Sequence, residues 1–87
     1  MNNERRDTIT VLIERIRRAQ TEIEKIREAV ETVRDEEQEA FDNLPEGLQN
    51  APKGEKMEGA IEFMESAIAN LEWDLDGVIA DLEQAKE

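Results

Sequence analysis

The sequence contains no cysteine, no histidine and no tyrosine, and its 87 residues include only two phenylalanines and one tryptophan. Without cysteine there is no disulfide and no thiolate chemistry. Without histidine the commonest general base and metal ligand is missing. Aromatic residues make up 3% of the chain, too little large side-chain volume for a thick globular core. These absences argue against an enzyme and favour long helices that pack along their length.

Long apolar runs are also missing. No stretch of 18 apolar residues exists, and the amino-terminal residues do not lead into the apolar core of a signal peptide. We therefore expect no membrane span and a cytoplasmic location.

The charges are unevenly distributed. The chain has 11 basic and 23 acidic residues, a formal net charge of −12. Residues 1–34 hold eight basic and seven acidic side chains, whereas residues 35–87 hold three basic and sixteen acidic ones. An acidic chain of this kind is repelled by nucleic acid and by anionic membranes. We expect no direct nucleic-acid or membrane binding, and the negative charge would attract basic partners.

A heptad seam runs through residues 57–85 and predicts a helix that packs lengthwise against another helix. All nine positions of this seam are apolar. One column, spaced by seven residues, is Met57, Met64, Leu71, Val78 and Ala85, and the interleaved column is Ile61, Ile68, Leu75 and Leu82.

A second seam runs through residues 9–44 and is apolar at ten of its eleven positions, with Glu37 as the exception. Branched side chains dominate its first column, as is common in two-stranded seams. That column is Ile9, Ile16, Ile23, Val30, Glu37 and Leu44. The second column is Leu12, Ala19, Ile26, Val33 and Ala40.

The two seams are separated by a stretch that breaks the helical pattern at Pro45, Gly47 and Gly54. A connection this short places the helices antiparallel, and one register pairs both seams, with Ala19 opposite Val78. We predict an all-α fold: a single domain over residues 1–87 forming a coiled-coil-like antiparallel two-helix hairpin. Its expected parts are helix 1 at about 4–43, a tip loop at about 44–52 and helix 2 at about 53–86. A lone hairpin is marginal, so we also expect it to oligomerise into a helical bundle.

The far side of helix 2 carries an uncharged stripe, although 39% of the chain is charged. Aromatic side chains are frequent interface anchors, and small residues let another helix approach closely. Gly59 and Gly77 each destabilise a helix by about 1 kcal/mol relative to alanine. Close approach of a partner helix would explain why glycine is present at these positions. The stripe consists of Gly59, Phe63, Ser66, Asn70, Trp73, Gly77 and Ala80, followed by Gln84.

We interpret this stripe as an interface. Self-association through it, or a doubling of hairpins into a four-helix bundle, is the main hypothesis, and a different protein partner is the alternative. A third interpretation is that Phe63 and Trp73 are simply exposed or fold over their own helix. The homo-oligomer follows from the first hypothesis.

A second candidate surface is acidic and lies around the tip. It consists of Asp35, Glu36, Glu37, Glu39, Asp42 and Glu46. Negative charge near the carboxyl end of a helix opposes the helix dipole. One interpretation is a loosely packed tip at which Glu37 reaches solvent. The other is an acidic contact patch.

The tip sequence DEEQEAFDNLPEGLQ at residues 35–49, followed by GEKME at residues 54–58, resembles small uncharacterised helical proteins of bacteriophages and prophages. The resemblance covers about a quarter of the chain. It implies a phage or mobile-element accessory protein in a bacterial or phage-infected cell, and it carries over no catalytic residue, cofactor or metal ligand.

Two functional hypotheses remain. The first is a non-enzymatic helical interaction or scaffold protein that self-associates. The second is an acidic decoy that inhibits a nucleic-acid-binding protein, such as a host defence protein. No catalytic, cofactor-binding or metal-binding residues are predicted, because the carboxylates lie on exposed flanks and the four glycines form no phosphate loop.

Overall fold

A computed structural model describes residues 1–71 and 75–87 of the chain. This part of the chain is all-α and contains no strand, which confirms the predicted class. The helices run in the order α1, α2, α3 and α4. Their bounds are Asn3–Asp42, Glu46–Gln49, Pro52–Asn70 and Leu75–Lys86.

Helix α1 begins with a side-chain cap. The Oδ1 of Asn2 accepts a hydrogen bond from the backbone N–H of Arg5 at 2.8 Å, and the Asn2 carbonyl accepts one from Arg6 at 3.1 Å. A cap of this kind satisfies one of the backbone donors that the first turn leaves without an intrahelical partner. From this start α1 continues for 40 residues, a length of about 60 Å at 1.5 Å per residue.

The tip contains a short helix where the sequence predicted a loop. Pro45 is extended, with φ −55° and ψ 141°, so it ends the run of α1 and starts the four-residue helix α2. Its carbonyl accepts the backbone N–H of Leu48 at 2.8 Å. After Ala51, Pro52 occupies the first turn of α3, a position in which proline is well tolerated.

Two described helices lie in the range expected for helix 2. Helix α3 ends at Asn70, and the backbone N–H of Leu71 caps it by donating to the carbonyls of Ala67 and Ile68 at 3.1 Å each. Helix α4 begins at Leu75. The predicted interface residue Trp73 lies outside the described residues.

The chain divides into two compact units, and the first comprises residues 1–25 and 73–87. Two hydrogen bonds join α1 to α4 in this unit. Arg6 Nε donates to the carbonyl of Lys86 at 2.9 Å, and Gln20 Nε2 donates to Asp76 Oδ1 at 2.9 Å. Among the described residues of this unit, Ile13 is the most buried, with 2% of its surface exposed.

The second unit comprises residues 26–72. Its buried apolar side chains are Ile61 and Ile68, both on α3. The Nε2 of Gln49 reaches back to the carbonyls of Phe41 and Leu44 at 3.3 Å each, linking α2 to the end of α1. Phe41 and Leu44 are half-buried in this arrangement.

The buried face of α1 differs from the predicted seam in one of its two columns. The first column is half-buried as expected, from Ile9 to Leu44. The second predicted column is exposed, and the column one residue later takes its place. Three of its members are polar, and long polar side chains can lay their stems over a seam while their ends reach water. This column is Ile13, Gln20, Arg27, Arg34 and Phe41.

A similar shift of one residue separates α3 from α4. In α3 the predicted seam from Met57 to Leu71 is buried or half-buried. In α4 the half-buried residues are Leu75, Gly77, Ile79, Leu82 and Lys86, whereas Val78 is 43% exposed.

Candidate interaction surfaces

The predicted stripe on helix 2 places its first four residues on α3, and we call these four the α3 stripe: Gly59, Phe63, Ser66 and Asn70. Phe63 is 80% exposed. A Cβ added at Gly59 would meet no atom within 4 Å. The exposed ring of Phe63 therefore lies one helical turn from Gly59, which has no side chain to keep another backbone away. A protruding aromatic side chain beside such a position is a suitable contact site for a partner.

The remaining described residues of the predicted stripe lie on α4. Gly77 is half-buried, and Ala80 and Gln84 are exposed. They offer only small or polar contact groups, and Trp73 lies outside the described residues. Among the described residues, the aromatic part of the candidate interface is thus Phe63 alone.

The acidic tip residues are mostly at the surface. Asp35, Glu36, Glu39, Asp42 and Glu46 are exposed, and Glu37 is half-buried. Two of these carboxylates are engaged locally: Asp35 accepts from Arg34 at 3.0 Å, and Asp42 accepts from the Nε2 of Gln38 at 3.0 Å. Arg34 therefore offsets the charge of Asp35, whereas the uncharged amide of Gln38 leaves the charge of Asp42 in place.

Glu37 lies at a groove rather than simply in solvent. The groove has a volume of about 320 Å³ and is also lined by Lys53, Lys56, Met57 and Ala60. The polar residue in the predicted seam thus faces a surface that carries two lysines.

Gly54 has a steric role that the sequence did not reveal, since the pattern indicated only flexible backbone at this position. Gly54 is buried, and a Cβ placed there would lie 2.1 Å from the carbonyl oxygen of Gln49 and 2.6 Å from that of Leu48. Both neighbours are backbone atoms that cannot move aside cheaply. Glycine is therefore needed because α2 approaches α3 closely, and its φ is not positive.

A second missed surface lies on α1. The five residues of its second predicted column form what we call the α1 exposed column: Leu12, Ala19, Ile26, Val33 and Ala40. All five are exposed, with Leu12 at 39%, Ile26 at 43% and Val33 at 53%. The spacing of seven identified these residues from the sequence, but it assigned them to contacts within the chain. The polar residues of the neighbouring column gave no signal that they would be preferred there.

In residues 1–71 and 75–87, no group of acidic side chains is arranged to hold a metal ion. Within the same residues, none of the helices combines the length and the apolar character needed to cross a membrane.

Comparison of the chain with protein-family models, with curated proteins and with solved structures gives no match.

Proposed function

We propose that this chain is a non-enzymatic helical interaction protein: an antiparallel hairpin that self-associates and presents the α3 stripe to another protein. The observation that carries this proposal is the imbalance between buried and exposed apolar side chains. Among the described residues, Ile13, Ile61 and Ile68 are the buried hydrophobic ones, whereas Phe63 is 80% exposed and the α1 exposed column lies at the surface.

The imbalance matters because apolar burial is the main favourable term in folding, at about 25 cal/mol per Å² removed from water. A chain of 87 residues with so few buried side chains has little of this stabilisation by itself. Association of two or more copies covers apolar surface and adds to the stability of each. Self-association is thus the simplest way for this chain to gain a sufficient core.

Individual contacts in each unit support the antiparallel hairpin. Gln20 bonds to Asp76 in the first unit, as expected if Ala19 lies opposite Val78. In the second unit, one groove is lined by Glu37 of α1 together with Met57 and Ala60 of α3. Both observations agree with antiparallel helices at these two levels, whereas the second predicted column of α1, which includes Ala19, is exposed.

The α3 stripe is assigned to a partner because of Phe63. An aromatic ring that is 80% exposed in the isolated chain contributes little free energy of apolar burial. The cores of protein interfaces are enriched in aromatic rings. A partner with a matching apolar groove would bury it. To test this assignment, wild-type protein and Phe63→Glu can be used as baits with lysate of the natural host, followed by binding measurements on each purified candidate. We expect one partner whose affinity falls at least tenfold with Phe63→Glu, and equal affinities would contradict the assignment.

We further propose that the protein is an accessory factor of a bacteriophage or mobile element that acts in the cytoplasm of the host cell. This rests on the resemblance of residues 35–49 and 54–58 to small phage and prophage proteins. The genes next to its own provide the test. Neighbours that encode phage structural, replication or counter-defence proteins would support the proposal, and a setting among host metabolic genes would contradict it.

A second candidate function is the acidic decoy, and the exposure of five of the six acidic tip residues favours it. A decoy binds its target largely through charge, so its affinity falls steeply with salt and DNA displaces it. A scaffold that assembles through apolar contacts shows little dependence on salt. Measuring partner binding at 50 mM and 300 mM salt, with and without competitor DNA, separates the two functions.

A further inference from the structure

We propose that a second copy of this chain docks antiparallel on the α1 exposed column, with a two-fold axis that passes beside Ile26. The inference rests on the proposed self-association and adds to it the surface and the orientation of the two copies. Three properties of α1 carry it: the exposure of the column, the sizes of its side chains and the charges beside it.

The column is a continuous apolar face on one helix. Its members are seven residues apart within α1, which runs unbroken from Asn3 to Asp42. Residues separated by seven lie on the same side of a helix, two turns apart. From Leu12 to Ala40 the column extends about 42 Å at 1.5 Å per residue. The neighbouring column from Ile9 to Leu44 is already half-buried, so a partner on the exposed column would extend an existing core.

The side-chain sizes are complementary about Ile26. In an antiparallel pair centred there, Leu12 of one copy meets Ala40 of the other, and Ala19 meets Val33. Each large side chain faces a small one, and Ile26 faces its own copy on the axis. Interfaces with two-fold symmetry require this self-complementarity, because a contact from Leu12 of one copy to Ala40 of the other is repeated from Ala40 to Leu12. A parallel pair would instead stack alanine on alanine and leave gaps.

The flanking charges favour the same orientation. Arg15 and Glu36 both lie on the outer flank of the column, and both are exposed. In the antiparallel pair Arg15 of one copy lies close to Glu36 of the other, and the symmetry produces this contact twice. In a parallel pair the basic amino-terminal parts of the two copies, which contain Arg18 and Lys25, would be adjacent. The acidic parts that contain Glu39 would be adjacent as well. Juxtaposed like charges disfavour the parallel arrangement.

The self-complementarity also identifies the occupant as a second copy. The half of the column before Ile26 is matched in size by the half after it when the second copy runs in the opposite direction. Arg15 and Glu36 are likewise on opposite sides of Ile26, so a second copy brings the opposite charge to each of them. A second copy carries the same column and the same flanking charges, and it therefore provides the complementary surface.

The absence of cysteine makes disulfide cross-linking a direct test, because single introduced cysteines report only on their own position. Under mild oxidation, Ile26→Cys is expected to form a covalent dimer. Ala19→Cys and Val33→Cys alone are expected not to, since equivalent residues at 19 lie about 21 Å apart along the antiparallel pair. A mixture of Ala19→Cys and Val33→Cys should cross-link. Val11→Cys, 58% exposed on the same helix but outside the column, is the matched control.

Each other outcome overturns the inference in a recognisable way. Cross-linking of Ala19→Cys with itself would show a parallel pair. Cross-linking of Phe63→Cys without Ile26→Cys would move self-association to the α3 stripe, so that the proposed self-association stands and its assignment to α1 fails. A wild-type protein that remains a monomer in light scattering would remove the proposed self-association itself.

A charge exchange tests the orientation in solution without oxidation. We expect Arg15→Glu and Glu36→Arg each to weaken self-association about tenfold, since two exposed ion pairs per dimer are replaced by repulsion. The double variant Arg15→Glu/Glu36→Arg should recover most of the wild-type affinity. Failure of the double variant to recover, while helicity is retained, would contradict the antiparallel pairing.

Discussion

At the scale of single residues, Gly54 is the position at which the identity of the side chain matters most at the tip. It is buried, and its Cα faces the backbone carbonyls of Leu48 and Gln49. The short helix α2 can lie against α3 only because there is no Cβ between them. The Gln49 side chain then bonds to the carbonyls of Phe41 and Leu44, which connects α2 to α1.

We therefore predict that Gly54→Ala destabilises the protein by about 1–3 kcal/mol, the usual cost of forcing extra atoms into packed structure. Urea unfolding followed by circular dichroism, at one protein concentration, measures the change. Gly59→Ala is the matched control, because its Cβ would enter open space on the surface of α3. It should stabilise the helix by up to about 1 kcal/mol. Equal effects of the two substitutions would contradict the close approach at Gly54.

Ile13 and Leu12 are neighbours with opposite environments, 2% and 39% exposed. We predict that Ile13→Ala lowers the free energy of unfolding by about 2 kcal/mol or more, because it removes buried methylene groups. Leu12→Ala should change the unfolding of the separated chains much less and should instead weaken self-association. Chemical unfolding and sedimentation on both variants measure the two effects. A larger loss of stability for Leu12→Ala would support the seam that the sequence alone predicts.

At the scale of helices, α1 carries an unfavourable charge distribution at its carboxyl end. Its last turn has no basic residue, and Glu36 and Glu39 lie close to it. The carboxyl end of a helix is the negative end of its dipole. We predict that Glu39→Lys raises the free energy of unfolding by about 0.3–1 kcal/mol.

The matched control for this change is Glu28→Lys, which alters the net charge equally in the middle of α1, where the dipole has little effect. Thermal unfolding of both variants at low and at high salt isolates the contribution of the helix end. If Glu28→Lys were as stabilising as Glu39→Lys, relief of the overall negative charge would be the cause and not the dipole.

The helices themselves were predictable because heptad spacing is a local property of the sequence. Ile9, Ile16 and Ile23 lie where the pattern placed them, and so do Ile61 and Ile68. The choice between the columns of Leu12 and Ile13 was not predictable, because both adjoin the first column and the pattern counted only apolar residues. The half-buried column includes Arg27 and Arg34, and side chains of this length can cover apolar surface while their charged ends reach water.

The tip was predictable only as a break in the helices. Pro45 and Gly47 signalled that α1 stops, and α1 ends at Asp42. The helix α2 and its close contact with Gly54 depend on distances between backbone atoms that no local pattern encodes. Of the candidate surfaces, the exposure of Phe63 followed from its position opposite the seam. The exposure of the α1 exposed column could not be predicted from the sequence. It depends on which of two adjacent columns of α1 packs within the chain and which is left at the surface.

At the scale of the whole molecule, self-association should depend mainly on apolar contacts. The predicted interface centres on Leu12, Ile26 and Val33, with the Arg15–Glu36 pairs at its edge. Exposed ion pairs contribute about 0–1 kcal/mol each and are screened by salt. We predict that the dimer dissociation constant changes less than tenfold between 50 mM and 500 mM salt, as measured by sedimentation equilibrium. A change of a hundredfold or more would instead indicate an interface dominated by charge.

The proposed function depends on self-association of the chain, and the molar mass in solution measures this property. Light scattering coupled to size-exclusion chromatography should give a mass of about 20 kDa or a higher multiple of the 10.0 kDa chain at tens of micromolar. The mass should fall towards that of one chain on dilution or with Ile26→Glu. A constant mass of about 10 kDa for the wild-type protein across this range would contradict the account.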